Sequence, residues 1–254
     1  MLNATNPSTT NGRPRPPRER AWRDAALWAC STLAMLTALG MVFLYAPREH
    51  TMGDVQRIFY FHVASAWVGF LAFAVTFAAG IAYLAREEPR SDLLARSSAR
   101  IGLAFMAMAV VSGALWARPV WGTYWTWEPR LTISAVQLLV YLAYVLVRGL
   151  VEEPQRAARL AAVYGVLAFV TVPLSWFAIR WWRSIHPDLL TGGGGMPLSP
   201  PMLYTLLASV AAFSLLYLAS LRASTRLGVS EERLARLRLL EQTLASDEVG
   251  ASDD

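Results

Sequence analysis

Residues 60–84 read YFHVASAWVGFLAFAVTFAAGIAYL, an apolar run without a single Asp, Glu, Lys or Arg. A bilayer core about 30 Å thick takes about 20 residues of helix to cross, with roughly 17–25 tolerated. This run has the length and composition of one crossing. Five more are of the same kind, at about 25–45, 101–117, 131–150, 158–179 and 202–221. The pattern predicts an all-α integral membrane protein of six transmembrane helices. The run at 101–117 is the shortest and has room to continue as helix into the segment that follows it.

Composition agrees with this reading. The chain has 254 residues, 55% of them hydrophobic, and a mean hydropathy of +0.36; soluble domains are usually about 45–50% apolar. No long polar segment offers a second core, so one membrane domain is expected over 23–222. A Pro- and Arg-rich tail at 1–22, with NGRPRPPRER at 11–20, is expected to be disordered. The first run is long for a signal-peptide core and follows a polar tail, so it reads as an uncleaved anchor. The remaining residues, 223–254, form a second tail, in which 230–245 (SEERLARLRLLEQTLA) reads as a short amphipathic surface helix.

All 23 basic residues are Arg, which excludes lysine Schiff-base chemistry. They flank the apolar runs, so the net charge of +5 is a topology signal and no nucleic-acid partner is expected. Seventeen lie in the two tails and in the 85–100 and 148–159 connections; six (Arg48, Arg57, Arg118, Arg130, Arg180 and Arg183) lie on the other side. Positive charge stays inside, so both termini are predicted to be cytoplasmic. Connections 46–59, 118–130 and 180–201 then face outward. The last contains Gly192 to Gly195, flanked by Pro187 and Pro197, as a lid over a site or a plain linker. The lone Cys30 gives no disulfide, CxxC pair or thiolate cluster and reads as a small membrane-core residue.

Ionisable groups inside a membrane are costly and mark ion and proton paths. No Asp or Glu lies mid-span, Gln137 is the main polar residue there, and Arg148 and Arg159 sit at span ends. That counts against an ion-coupled transporter. The three histidines all map to the outer side: His50 in the first outer connection, His62 within Phe59-Tyr60-Phe61-His62, and His186 within Trp181-Trp182-Arg183-Ser184-Ile185-His186-Pro187. His50 has no aromatic escort and reads as a surface residue. A zinc site commonly takes three or four ligands, whereas haem iron needs only axial ones, and imidazole is a common choice.

The densest local signal is WGTYWTWEPRLT at 121–132. An interfacial aromatic belt enriches Trp at both faces, but here the Trp residues are one-sided. Trp116, Trp121, Trp125, Trp127, Trp176, Trp181 and Trp182 map outward and Trp67 to the outer half of its span; only Trp22 and Trp28 map inward. Clustered indoles make a rigid apolar shelf edged with N–H donors. The nearby guanidinium groups suit carboxylates. A flat aromatic shelf, two imidazoles and several Arg together describe a place for a macrocycle, its iron and its propionates.

These residues resemble a known family. The run WGTYWTWEPRLT is similar to the tryptophan-rich "WWD" signature of haem-handling proteins in cytochrome c biogenesis, and most like that of the CcmC (cytochrome c maturation protein C) family. The likeness extends over nearly the whole chain: six spans, the motif between the third and fourth, and a His on either side of it. It implies haem b as a transported substrate, bound at the outer face of the bacterial inner membrane. It also implies delivery to the membrane-anchored haem chaperone CcmE, together with the ABC-transporter subunits CcmA and CcmB and the small membrane subunit CcmD. ATPase activity would belong to the partners, so the chain itself is not expected to be an enzyme.

The resemblance further implies His62 and His186 as the axial ligands of haem iron. It implies a platform of Trp121, Gly122, Tyr124, Trp125, Trp127, Glu128 and Arg130. Arg118, Arg130 or Arg183 would pair with propionates. Glu128 departs from the family pattern, which has Asp there; Glu keeps the charge and reaches one methylene further. His186, close to the glycine run, is expected to be the more mobile ligand. A haem permease or a cytochrome c haem lyase of the same superfamily is the alternative. A b-type electron carrier would need mid-span His.

Overall fold

The computed structural model describes residues 17–182, 184–187 and 198–252. Most of the Pro-rich tail, Arg183 and the run Gly192 to Gly195 lie outside the described residues. The described chain is helical almost throughout: α1 (Pro17–Gly40), α2 (Arg57–Arg86), α3 (Pro89–Trp121), α4 (Pro129–Val147), α5 (Pro154–Ala168), α6 (Thr171–Trp181) and α7 (Pro200–Ser252). A π-helical turn, Met41–Tyr45, extends α1, and a short 3-10 turn, Asp54–Gln56, leads into α2. Among the described residues, six helical stretches are long and apolar enough to cross a membrane, with α1 and its π turn as the first and α5 and α6 together as the fifth.

The helix ends follow from sequence chemistry. Pro89, Pro129 and Pro154 open α3, α4 and α5 at positions where a missing N–H costs nothing. α2 closes on Glu87, left-handed at φ 53°, and α3 on Gly122 at φ 77°, where glycine carries no steric penalty. Three expectations change. The third crossing runs on to Trp121, into the segment after its apolar run as expected, but helix also continues back through Arg96–Arg100 to Pro89. The fifth breaks at Phe169–Val170, since Pro173 can neither bond to the Phe169 carbonyl nor pack against it. The tails also differ from their reading. α1 already starts at Pro17, and the helix at 230–245 is no separate element but the continuation of α7.

α2 lies in the middle, packed on α3, α5 and α7, while α1 leans on α7 and α4 on α3, α5 and α6. Association within lipid depends on close packing and interhelical hydrogen bonds rather than on a hydrophobic drive. Buried small residues supply the first: Ala64, Ala72 and Ala79 on α2, and Ala95, Ala99 and Ala109 on α3. Ser98 supplies the second. It donates to the Ala72 carbonyl at 2.8 Å and meets the Tyr217 hydroxyl at 2.7 Å, joining α3 to α2 and α7. Gln137 faces the interior and is fully buried, whereas Leu36, Leu139, Leu146 and Leu167 project outward as a lipid-facing surface.

Candidate functional site

At one end of the bundle, four separate stretches enclose a cleft. α2 contributes Phe59, His62 and Phe70, and α3 contributes Met106, Gly113, Trp116 and Trp121. Trp125 with Arg130 and Ser134 forms a third wall, and His186 with Pro187 a fourth. The space out to the mouth, open solvent included, is about 880 Å³.

The two imidazoles face each other across this space, with ring centroids 6.3 Å apart and planes tilted by 43°. Each is held through Nδ1 by a carbonyl oxygen: Ala109 for His62 at 2.8 Å, and Pro187 for His186 at 3.1 Å. A carbonyl can only accept, so Nδ1 is the donor in each ring; in the neutral tautomer this puts the lone pair on Nε2. This is how metal-binding histidines are oriented. A metal–nitrogen bond of about 2.0–2.1 Å places an imidazole centroid about 3 Å from the metal, so two opposed ligands have centroids about 6 Å apart. The observed centroid separation is close to that figure. The Cε1–Nδ1 edge of His62 also lies against Gly113, where an added Cβ would sit 2.9 Å from Cε1 and 3.1 Å from Nδ1.

The tryptophan segment divides into an inward and an outward half. Trp116 and Trp121 stand edge to face at 5.3 Å, as do Trp125 and Trp127 at 5.9 Å. Trp116, Trp121 and Trp125 line the cleft. The indole N–H groups of Trp116 and Trp125 are buried without a hydrogen-bond partner among the described residues. Trp127 is 81% exposed and Tyr124 57% exposed, and neither lines the cleft. Gly122 turns the chain out of α3, its N–H bonded to the Arg118 carbonyl at 3.0 Å. Thr123 Oγ1 braces Trp125 through the backbone N–H at 3.4 Å and the carbonyl at 3.1 Å.

Glu128 is the N-cap of α4, accepting the Leu131 N–H at 3.0 Å. Its other oxygen accepts the Ser184 hydroxyl. Arg130 lines the cleft, donates to the Ser175 carbonyl and to Ser175 Oγ at 3.2 Å, and lies 5.7 Å from the centre of the Phe70 ring. It has no ion pair among the described residues. Arg118 is exposed, donates to the Gly122 carbonyl and sits over Tyr124, away from the cleft. Arg183 is outside the described residues, and His50 is exposed and apart from the cleft.

The structure therefore brings together His62, His186, Trp121, Trp125 and Arg130, and leaves Tyr124, Trp127 and Arg118 outside. Sequence reasoning missed Trp116 as a wall, Gly113 as the seat of His62, and Ser184 as the partner of Glu128. A glycine on a neighbouring helix carries no sequence signal of this kind, and a lone serine carries none. Among the described residues no group of three or more His, Cys, Asp or Glu stands ready for a bare metal ion. Two opposed imidazoles instead suit a metal that arrives with its equatorial positions already filled.

Comparison with known proteins gives a consistent picture. Residues 18–240 match the family described as CcmC, Heme exporter protein C. The chain is 32% identical to Heme exporter protein C of Bradyrhizobium diazoefficiens over 89% of its own length and 92% of the relative's. It is 31% identical to the Paracoccus denitrificans protein of that name over 83% and 88%. A putative cytochrome c biosynthesis ccmC-like mitochondrial protein of Marchantia polymorpha is 25% identical over 73% and 77%.

Proposed function

Because the chain belongs to the CcmC (Heme exporter protein C) family, we propose that it is a haem-handling membrane component of cytochrome c maturation, and that the cleft is where it holds haem. The facing imidazoles carry this reading, 6.3 Å apart and each oriented through Nδ1. His62 and His186 bind the iron from opposite faces of the macrocycle. Trp116, Trp121 and Trp125 wall the porphyrin, and Arg130 with the indole N–H groups of Trp116 and Trp125 receives a propionate. Arg118, in the last turn of α3, and Arg183 are the further propionate partners of this reading.

Haem b is the cargo, the membrane-anchored chaperone CcmE the acceptor, and CcmA, CcmB and CcmD the companions, with ATP hydrolysis in the partners. Both termini are cytoplasmic, and the cleft opens on the outer face of the inner membrane. The one-sided arginine distribution supports that orientation. At the end of the bundle opposite the cleft, Arg148 pairs with Asp92 and Arg159 with Glu87. The cleft reaches down to Phe70 and Met106 near the middle of α2 and α3, but both histidines and the tryptophan segment sit at its open end, which favours delivery over permeation.

The test is haem content by pyridine haemochrome after purification, alone and with the chaperone, alongside c-type cytochrome assembly in cells. Haem in either preparation, and loss of assembly when His62 and His186 are both replaced, is the expected result. Haem-free preparations together with intact assembly would refute the proposal.

A further inference from the structure

Glu128 stands where two constraints meet. One carboxylate oxygen caps α4 through the Leu131 N–H at 3.0 Å. The other accepts the hydroxyl of Ser184, and the Ser184 oxygen in turn accepts the backbone N–H of His186 at 3.1 Å. Ser184 and Glu128 are 56 residues apart in sequence. One carboxylate thus fastens the irregular stretch after α6 to the start of a membrane helix. Hydrogen bonds to an ionised acceptor are roughly twice as strong as neutral ones, and that stretch has no helix of its own to hold it. Neither Glu128 nor Ser184 lines the cleft; Ser184 reaches the site only through His186, while Glu128 also caps the helix that carries Arg130.

We propose that Glu128 and Ser184 form a positioning latch for His186. Closed, the latch keeps the His186 imidazole opposite His62, and haem is retained. Open, it lets His186 leave the iron, and haem passes on. His62 has no such release, because it is carried on α2 and seated against Ala109 and Gly113. The longer side chain at position 128 has a use here: one oxygen caps the helix while the other reaches across to Ser184. The inference rests on the haem reading of the cleft.

The experiment uses the full chain in nanodiscs, loaded with ferric haem, and compares Ser184→Ala, Ser184→Thr, Glu128→Asp and His186→Gly. Ser184→Ala leaves the α4 cap intact. It is expected to add a high-spin fraction that free imidazole reverses, and to speed haem loss to apomyoglobin about tenfold, the scale of one lost charged hydrogen bond. Thermal unfolding is expected to stay unchanged. Glu128→Asp should behave like Ser184→Ala, and Ser184→Thr like the natural protein. In a His186→Gly background Ser184→Ala should add nothing. A natural spectrum and off-rate in Ser184→Ala overturns the latch, as does an equal effect in the His186→Gly background or a fall in unfolding temperature without imidazole rescue. If His186→Gly itself leaves the spectrum unchanged, the ligand assignment fails and not merely the latch.

Discussion

The geometry of His62 depends on an absence at position 113. With a Cβ there, the ring would meet it at 2.9 Å and be pushed from the Ala109 carbonyl. Gly113→Ala is therefore expected to lower haem occupancy at least tenfold while α3 stays helical, since Ala is the better helix former by about 1 kcal/mol. Haem per chain and circular dichroism check the two halves. The indoles allow a sharper contrast. Trp125→Phe removes a buried N–H donor and should weaken haem retention several-fold, on the scale of about 1 kcal/mol for a lost neutral hydrogen bond. Trp127→Phe, at an exposed position outside the cleft, should change nothing; haem off-rates decide. The motif at 121–132 was legible as a cluster, but which indoles face inward was not. Residues 122–128 follow neither a helical nor a strand period, so spacing carries no facing information there.

Among the elements, α3 and α4 are joined at the end remote from the cleft by a two-pronged pair. Arg148 donates to Asp92 at 2.6 and 2.7 Å, with side chains only 14% and 15% exposed. Removing one partner of a buried pair costs roughly 3–5 kcal/mol, because the survivor is left uncompensated. Asp92→Asn should lower the thermal stability of the solubilised protein markedly. Glu232→Gln, which breaks the half-exposed pair with Arg96, should lower it by at most about 1 kcal/mol. Equal effects would remove the distinction. Six crossings were legible because the bilayer sets a minimum apolar length. Their ends were not. The helix through Arg96–Arg100 is polar enough to read as a connection, yet its charges lie at a membrane boundary that tolerates them. The run at 158–179 was read as one span although it contains Pro173, because an apolar run conceals a kink that costs no polarity.

For the whole molecule, the cleft is assembled from positions far apart in the chain: His62 at the start of α2, the tryptophan segment between α3 and α4, and His186 beyond α6. The arginine count places all three on one side, and that was readable before any coordinates; their convergence on a single cleft needed the helix packing. The proposed orientation has its own test. After replacement of the exposed Cys30 by Ser, a cysteine at His50 should react with an impermeant maleimide in intact cells. One at Glu152 should react only after permeabilisation. The reverse pattern would invert the orientation and move the cleft to the cytoplasmic side.

The most direct measurement is the electron paramagnetic resonance of ferric haem bound to the full chain, with His62→Gly and His186→Gly beside it. A low-spin signal typical of two imidazole ligands is expected. Each substitution should convert it to high spin, and added imidazole should restore it. A signal that neither substitution alters would show that the facing histidines do not hold the iron.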